Sequence, residues 1–241
     1  MNSVSPSIDP TRTAELYGFD DVESYQQWHG LATDGVAGPI TTTSMSQPRC
    51  GLPDFQLSRE PEKASWPRNC MRVATAYRLN LNLDDDAIES AWDKAIGLWS
   101  ASCGLELSRI EAMQEANIWA TSGPLPGSTL AWSYLPNGNC RERLEQRYDT
   151  TVTWNHDFLA KTILHEVGHA IGLTHSNRQS DIMYPSITGR TLSSYPSPND
   201  KRRVVAYYGD SQDPTPPPPP PPGGNLLVIR EALPKGVYEL K

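Results

Sequence analysis

The sequence predicts an α+β fold, a sheet covered by helices and preceded by a small helical region, and three observations carry that prediction. Residues 71–83 (MRVATAYRLNLNL) place Val73, Ala74, Ala76, Tyr77, Leu79, Leu81 and Leu83 in a largely period-two pattern, which reads as a strand. Directly after them, Ile88, Trp92, Ala95, Ile96 and Trp99 recur at helical spacing. Further on, residues 159–171 carry a broad apolar stripe with polar side chains opposite it, the pattern of a helix seated on a core.

The remaining elements follow in chain order. Residues 12–31 hold two helix-compatible stretches in which Val22, Tyr25, Trp28 and Leu31 form one apolar stripe, and a short third segment covers 40–45. The stretch from 54 to Pro67, proline-rich and mixed in charge, reads as an exposed connector. Asp86 and Glu89 form a D-x-x-E capping box for the helix that runs to Trp99, and the acidic run 84–86 suits its N-terminus. Short strands are expected at 105–110, 117–121 and 129–135. From Asp210 the composition changes abruptly. The prolines at 216–222 form a spacer of roughly 22 Å as a polyproline II rod, and the residues after it are too few to bury a core alone.

At 241 residues the chain has room for one or two domains with a substantial core. The 21 Lys and Arg against 28 Asp and Glu give a net charge of −7 without any basic block. The electrostatic footprint that a phosphate backbone requires is missing, so nucleic acid is not expected as a partner. No apolar run approaches the roughly 20 residues of a spanning helix, so no membrane span is expected and the protein reads as soluble. The opening MNSVSPSIDPTRT has neither a basic nor an apolar signal region, and no secretory leader is read from it.

The chemistry concentrates in His165-Glu166-Val167-Gly168-His169-Ala170-Ile171-Gly172-Leu173-Thr174-His175. On a helix, His169 lies about 40° round from His165 and one turn along, so both imidazoles project from one face. Gly172 supplies a positive-φ position that ends the helix and lets His175 approach from a loop. Three neutral imidazoles suit zinc and leave a fourth tetrahedral position open to water, with Glu166 placed to act on that water as general base. A random chain of this length matches those five positions at about 10⁻⁴, which favours the metal reading over ordinary helix residues.

This H-E-x-x-H-x-x-G-x-x-H pattern resembles the metzincin signature. Asp181-Ile182-Met183-Tyr184-Pro185 is similar to the clan's Met-turn, in which Met183 floors the three histidines. Upstream, Pro48-Arg49-Cys50-Gly51-Leu52-Pro53-Asp54 closely resembles the cysteine switch of matrixin (matrix metalloproteinase) propeptides. Gln27, Gly30-Leu31, Asp34-Gly35 and Met45 stand in the order of the helical, peptidoglycan-binding-like part of those propeptides.

The resemblance covers roughly residues 15–210. It implies a metzincin catalytic domain, a twisted mixed sheet with an active-site helix and a C-terminal helix, behind a helical prodomain. The implied boundaries are 1–54 for the propeptide, 55–65 for an activation connector, 66–210 for the zinc metalloprotease domain, 211–224 for a Pro-rich linker and 225–241 for a tail or domain stub. The implied function is a latent, secreted zinc endopeptidase that cuts internal bonds of protein or peptide substrates. His165, His169 and His175 bind the metal, Cys50 occupies its fourth position in the latent form, and Arg49 and Asp54 pair to shape the switch. An activating protease cleaves the connector, and Leu130 and Ala131 form the edge strand that receives an extended substrate by β-augmentation.

Animal matrixins also carry a second, structural zinc and calcium ions on an S-shaped loop, and their edge strand has a His where Trp132 stands here. The loop 122–128 lacks the Asp of that pattern, so the resemblance implies a single zinc, with calcium poorly supported. His156 reads as a surface or capping residue and His29 as part of the propeptide. Beyond Cys50, the cysteines Cys70, Cys103 and Cys140 are odd in number, so any disulfide strands one thiol and the pair is left open. An alternative function is a cell-wall or glycan-binding module with a catalytically inert metal site, but such a relic has no need of Glu166. A purely structural zinc is the third reading, and it lacks a fourth good ligand outside the propeptide.

Overall fold

The computed structural model describes residues 9–54, 65–187 and 194–211. The expected connector up to residue 64, most of the proline linker, the C-terminal tail and residues 188–193 lie outside the described residues. The N-terminal part holds three short helices, α1 (Pro10–Leu16), α2 (Val22–His29) and α3 (Pro39–Met45). Asp9 and Asp21 cap the first two by accepting from the backbone N–H groups of Arg12 and Ser24, and Gly30 ends α2 at φ 68°. Ala14, Phe19, Val22, Tyr25 and Met45 form the core of this unit. Its polar stitch is Gln26, beside the Gln27 singled out from sequence. The buried Gln26 amide donates to Asp34, Val36 and Thr41 and accepts from the N–H groups of Asp34 and Gly35.

The rest of the chain supplies β1 (Arg49–Cys50), β2 (Arg72–Arg78), α4 (Asp85–Ser100), β3 (Glu106–Arg109), β4 (Ile118–Gly123), β5 (Thr129–Ser133), β6 (Leu144–Asp149), α5 (His156–Ala170) and α6 (Pro198–Tyr208). The strands form one mixed sheet in the order β1-β5-β6-β4-β2-β3. β2 lies parallel to β3 and β4, β4 is parallel to β6, and β5 returns antiparallel to β6. β1 lies parallel to β5. Three sequence expectations need correction. β6 was not foreseen, because Gln146 occupies a buried, inward-facing place between Leu144 and Tyr148 and breaks the apolar alternation. The cap of α4 is Asp84, accepting from Ala87 N at 2.7 Å, rather than Asp86. The stretch up to Pro67 is not exposed throughout, since Trp66 is buried.

α4 and α5 pack together on one side of the sheet. Trp92 donates from Nε1 to Thr75 Oγ1 on β2 at 3.0 Å, and Trp99 from Nε1 to Leu164 O on α5 at 2.8 Å, so both indoles are satisfied as they are buried. The last turn of a helix leaves carbonyls without partners. Here Trp66 Nε1 donates to Ala170 O at 2.9 Å and Tyr208 Oη to Ile171 O at 2.7 Å, so side chains from two distant segments fix the end of α5. α6 starts on a complete capping box of Ser197 and Asp200.

The main core is drawn entirely from residues 66–208, and the smaller one entirely from residues 14–45. Each part therefore has an apolar interior of its own, and Trp28 of the N-terminal part packs against both. Cys70 and Cys140 form a disulfide with Cα atoms 5.6 Å apart, which settles the pairing and leaves Cys103 as a buried thiol pushed up to about 11 by that burial. No helix among the described residues is long and apolar enough to cross a membrane.

Candidate metal centre

α5 is fixed before any ligand is considered. The Asn155 side chain caps it by accepting from Phe158 N at 3.0 Å, while Leu159, Ile163, Val167 and Ala170 bury its apolar face. His156, at its first turn, is exposed. At the other end Gly172 N donates to His169 O at 2.8 Å and Leu173 N to Gly168 O at 3.0 Å, the paired bonds of a Schellman turn. Gly172 adopts φ 99°, in the region that disfavours side chains, and the chain turns back to bring His175 beside the helix.

The imidazoles are oriented by backbone carbonyls. His165 Nδ1 meets Ile182 O at 2.6 Å, His169 Nδ1 meets Leu173 O at 2.6 Å, and His175 Nδ1 meets Pro53 O at 3.0 Å. A carbonyl only accepts, so each Nδ1 carries the proton and each Nε2 presents a lone pair. Those three Nε2 atoms converge at 3.0, 3.2 and 3.3 Å from one another. Burial holds His165 down to about 4 and His169 and His175 well below their ordinary value, so protonation does not relieve the crowding. Three lone pairs facing one point are stable only around a cation. Tetrahedral zinc with Zn–N near 2.0–2.1 Å sets its nitrogens about 3.3 Å apart, close to the spacing here.

The fourth donor is Cys50 Sγ, 3.4 Å from His169 Nε2, and all four donor atoms lie within 4.8 Å of one another. Among the described residues this is the one cluster of three or more His, Cys, Asp and Glu side chains so disposed. Burial and the neighbouring Glu166 push the Cys50 thiol well up, so a thiolate here also calls for a cation.

Cys50 arrives on β1, wedged between two backbones. Arg49 N donates to Ser128 O at 3.0 Å and Gly51 N to Ala131 O at 2.8 Å on the β5 side. Opposite, Cys50 N donates to Pro185 O and Ile187 N donates to Pro48 O, both at 3.0 Å. Gly51 lies so close to the side chains of Thr129 and Trp132 that a Cβ would collide with them. Leu130 and Ala131 thus sit on the strand next to the cluster, with β1 occupying their free edge.

Arg49 and Asp54 form a buried ion pair, and the Arg49 guanidinium stacks 3.4 Å above the Tyr17 ring. Sequence reading missed the third member, His29. Asp54 Oδ2 accepts from His29 Nε2 at 2.9 Å, which leaves His29 Nδ1 to accept from Tyr184 Oη at 2.8 Å. Trp28 also stacks on Tyr184. A polar chain therefore runs from the turn after Met183 through α2 into the Cys50 segment. Burial, aided by Arg49, holds His29 down to about 3.

Glu166 is wholly buried. Its Oε2 lies 3.7 Å from Cys50 Sγ, while Oε1 has no partner among the described residues, and burial raises the carboxyl to about 8. Met183 lies beneath the helix against Gly168, where an added Cβ would overlap its sulfur and press on Trp99. Gly168 is thus a second residue that the motif reading passed over, although a glycine inside a helix is itself a signal of close approach.

The sequence profile of the matrixin family, Peptidase M10, matches residues 72–209, more than half of the chain and a span that includes all three histidines. The chain belongs to the matrixin family. Matrix metalloproteinase-18 of Xenopus laevis is 29% identical to this matrixin over 214 residues, 81% of this chain and 44% of that protein. Interstitial collagenase of Bos taurus is 29% identical over 232 residues, 89% of this chain and 48% of that protein. Matrilysin of Felis catus is 28% identical over 221 residues, 85% and 82% of the two chains. This matrixin spans about half the length of the first two relatives. The family uses zinc, and the donor set described above suits that ion.

Gly168→Ala forces Met183 or Trp99 to move and is expected to cost about 1–3 kcal/mol, read as a lower urea midpoint, whereas an unchanged midpoint would remove the packing argument. Unfolded His29 takes a proton near 6.5 and folded His29 only at about 3, so stability falls as pH drops below 6.5. The expected contribution is about 1.4 kcal/mol per pH unit, measured as the difference in slope between wild type and His29→Gln from pH 6 to 4.

Proposed function

We propose that this matrixin is a latent, zinc-dependent endopeptidase. The observation that carries the reading is the convergence of three proton-free Nε2 atoms beside a buried carboxylate. His165, His169 and His175 hold the ion, and Cys50 closes its fourth position until the propeptide, residues 1–54, is released by a protease acting within 55–65. Bound there, zinc supplies a Lewis acid that polarises a substrate carbonyl and acidifies water.

Glu166 does the proton work. Its Oε2 faces the place that the Cys50 sulfur takes, so a water replacing that sulfur lies within reach of the carboxyl. That carboxyl accepts the proton of the water and returns it to the leaving amine. Met183 floors the histidines, and Gly172 turns the chain so that the third can join the other two. The free edge of β5 receives the substrate in extended form, Leu130 and Ala131 offering the backbone groups that β1 now uses. Arg49 and Asp54, with His29 beside them, hold the inhibitory segment in shape. Secretion accompanies the reading, as does a single zinc.

Glu166→Gln is expected to lower cleavage of a quenched peptide by about 10²–10⁴-fold while the trimmed protein keeps one zinc per chain. Retained turnover would sink the assignment of the base. Cys50→Ala is expected to raise peptide cleavage by the uncleaved chain toward that of the trimmed enzyme, and a zinc chelator should abolish it. No rise in the uncleaved chain would remove the switch.

A further inference from the structure

His175 is held differently from the other two histidines. The carbonyls that orient His165 and His169, those of Ile182 and Leu173, belong to the unit that carries the histidines. The one that orients His175 belongs to Pro53, and the nearest carboxylate oxygen, Asp54 Oδ1 at 3.7 Å, lies in the same segment. Release of residues 1–54 therefore strips this ligand of its partner at Nδ1.

What remains is a clamp on the backbone either side of it. Ser176 N donates to Met183 O at 2.8 Å. Thr174 is gripped by Arg203, whose Nη2 donates to the carbonyl at 2.7 Å and to Oγ1 at 3.0 Å. Arg203 stands on α6, a platform tied to the cluster at both ends. Asp200 accepts from Ile182 N at 2.9 Å, and Tyr208 donates to Ile171 O. Nη1 of Arg203 is buried with no partner among the described residues, so the side chain occupies this place at a cost, and its contact with Thr174 is what it gains there.

Resting on the metal and latency reading above, we propose that Arg203 is a positioning residue for the third zinc ligand, and that its grip on Thr174 holds His175 once the Pro53 carbonyl has left. In the uncleaved chain the two supports are redundant, and in the trimmed one Arg203 acts without the propeptide partner. A lysine delivers a single donor and does part of the work.

The test compares Arg203→Met, Arg203→Lys and wild type, each uncleaved and trimmed within 55–65 with the N-terminal piece removed. The readout is zinc affinity by equilibrium competition with a chromophoric chelator, which needs no activity. Trimmed Arg203→Met should bind zinc about 10–100-fold more weakly than trimmed wild type. The uncleaved pair should differ by less than about threefold, within the scatter of a redundant support. Arg203→Lys should recover part of the loss. Thr174→Ala, which removes only the hydroxyl acceptor, should show a smaller loss with the same contrast, and it carries the test if Arg203→Met does not fold. Equal weakening in both forms, or none in the trimmed form, overturns the role of Arg203. Absence of zinc from wild type in both forms overturns the metal reading and this proposal with it.

Discussion

Three lone pairs aimed at one point in a dry interior are the constraint around which this protein is arranged. Each imidazole carries its proton on Nδ1 and donates it in a hydrogen bond to a backbone carbonyl, so none of the Nε2 atoms can relieve the others by donating. Burial blocks the other escape, protonation. Holding such an arrangement requires rigid neighbours, and the structure supplies them from separate directions. The Schellman turn ends α5, Trp66 and Tyr208 satisfy its last carbonyls, Met183 presses on Gly168, and Asp200 ties α6 to the segment before Met183.

The Cys50 segment meets that site as a strand and as a buried ion pair at once. Its strand bonds resemble those that any extended peptide could make with β5, so they give affinity without identity. Identity comes from the side chains. A buried Arg–Asp pair is expensive to desolvate and is held only by good geometry and added hydrogen bonds. Tyr17 stacks on the guanidinium, and His29, itself bonded to Tyr184, donates to the carboxylate. Because Tyr184 follows Met183 directly, the N-terminal part also bonds to the segment that packs beneath α5.

Local pattern was legible where a short stretch carries its own reason. The 3.6-residue period of α5, the glycine that ends it and the two histidines one turn apart need nothing beyond the segment itself. The same holds for the alternation of β2. Pattern reading failed where tertiary context overrode it. β6 went unseen because Gln146 is buried against Ser133 on the neighbouring strand β5, a partner that no short window around β6 contains. Trp66 looked like part of a linker because its hydrogen-bond acceptor lies 104 residues away.

The sequence by itself determined the donor atoms, the spacing that sets two of them on one face, and the chemistry of the segment around Cys50, because residue type and helical period are local properties. The tertiary structure decided which groups those donors meet. It alone brought His29 between Asp54 and Tyr184, joined Cys70 to Cys140 and left Cys103 aside, and gave His175 a carbonyl from another unit while Arg203 grips the residue before it. Such contacts join residues tens to more than a hundred positions apart, and only the packed chain fixes which of many equally plausible partners are within reach.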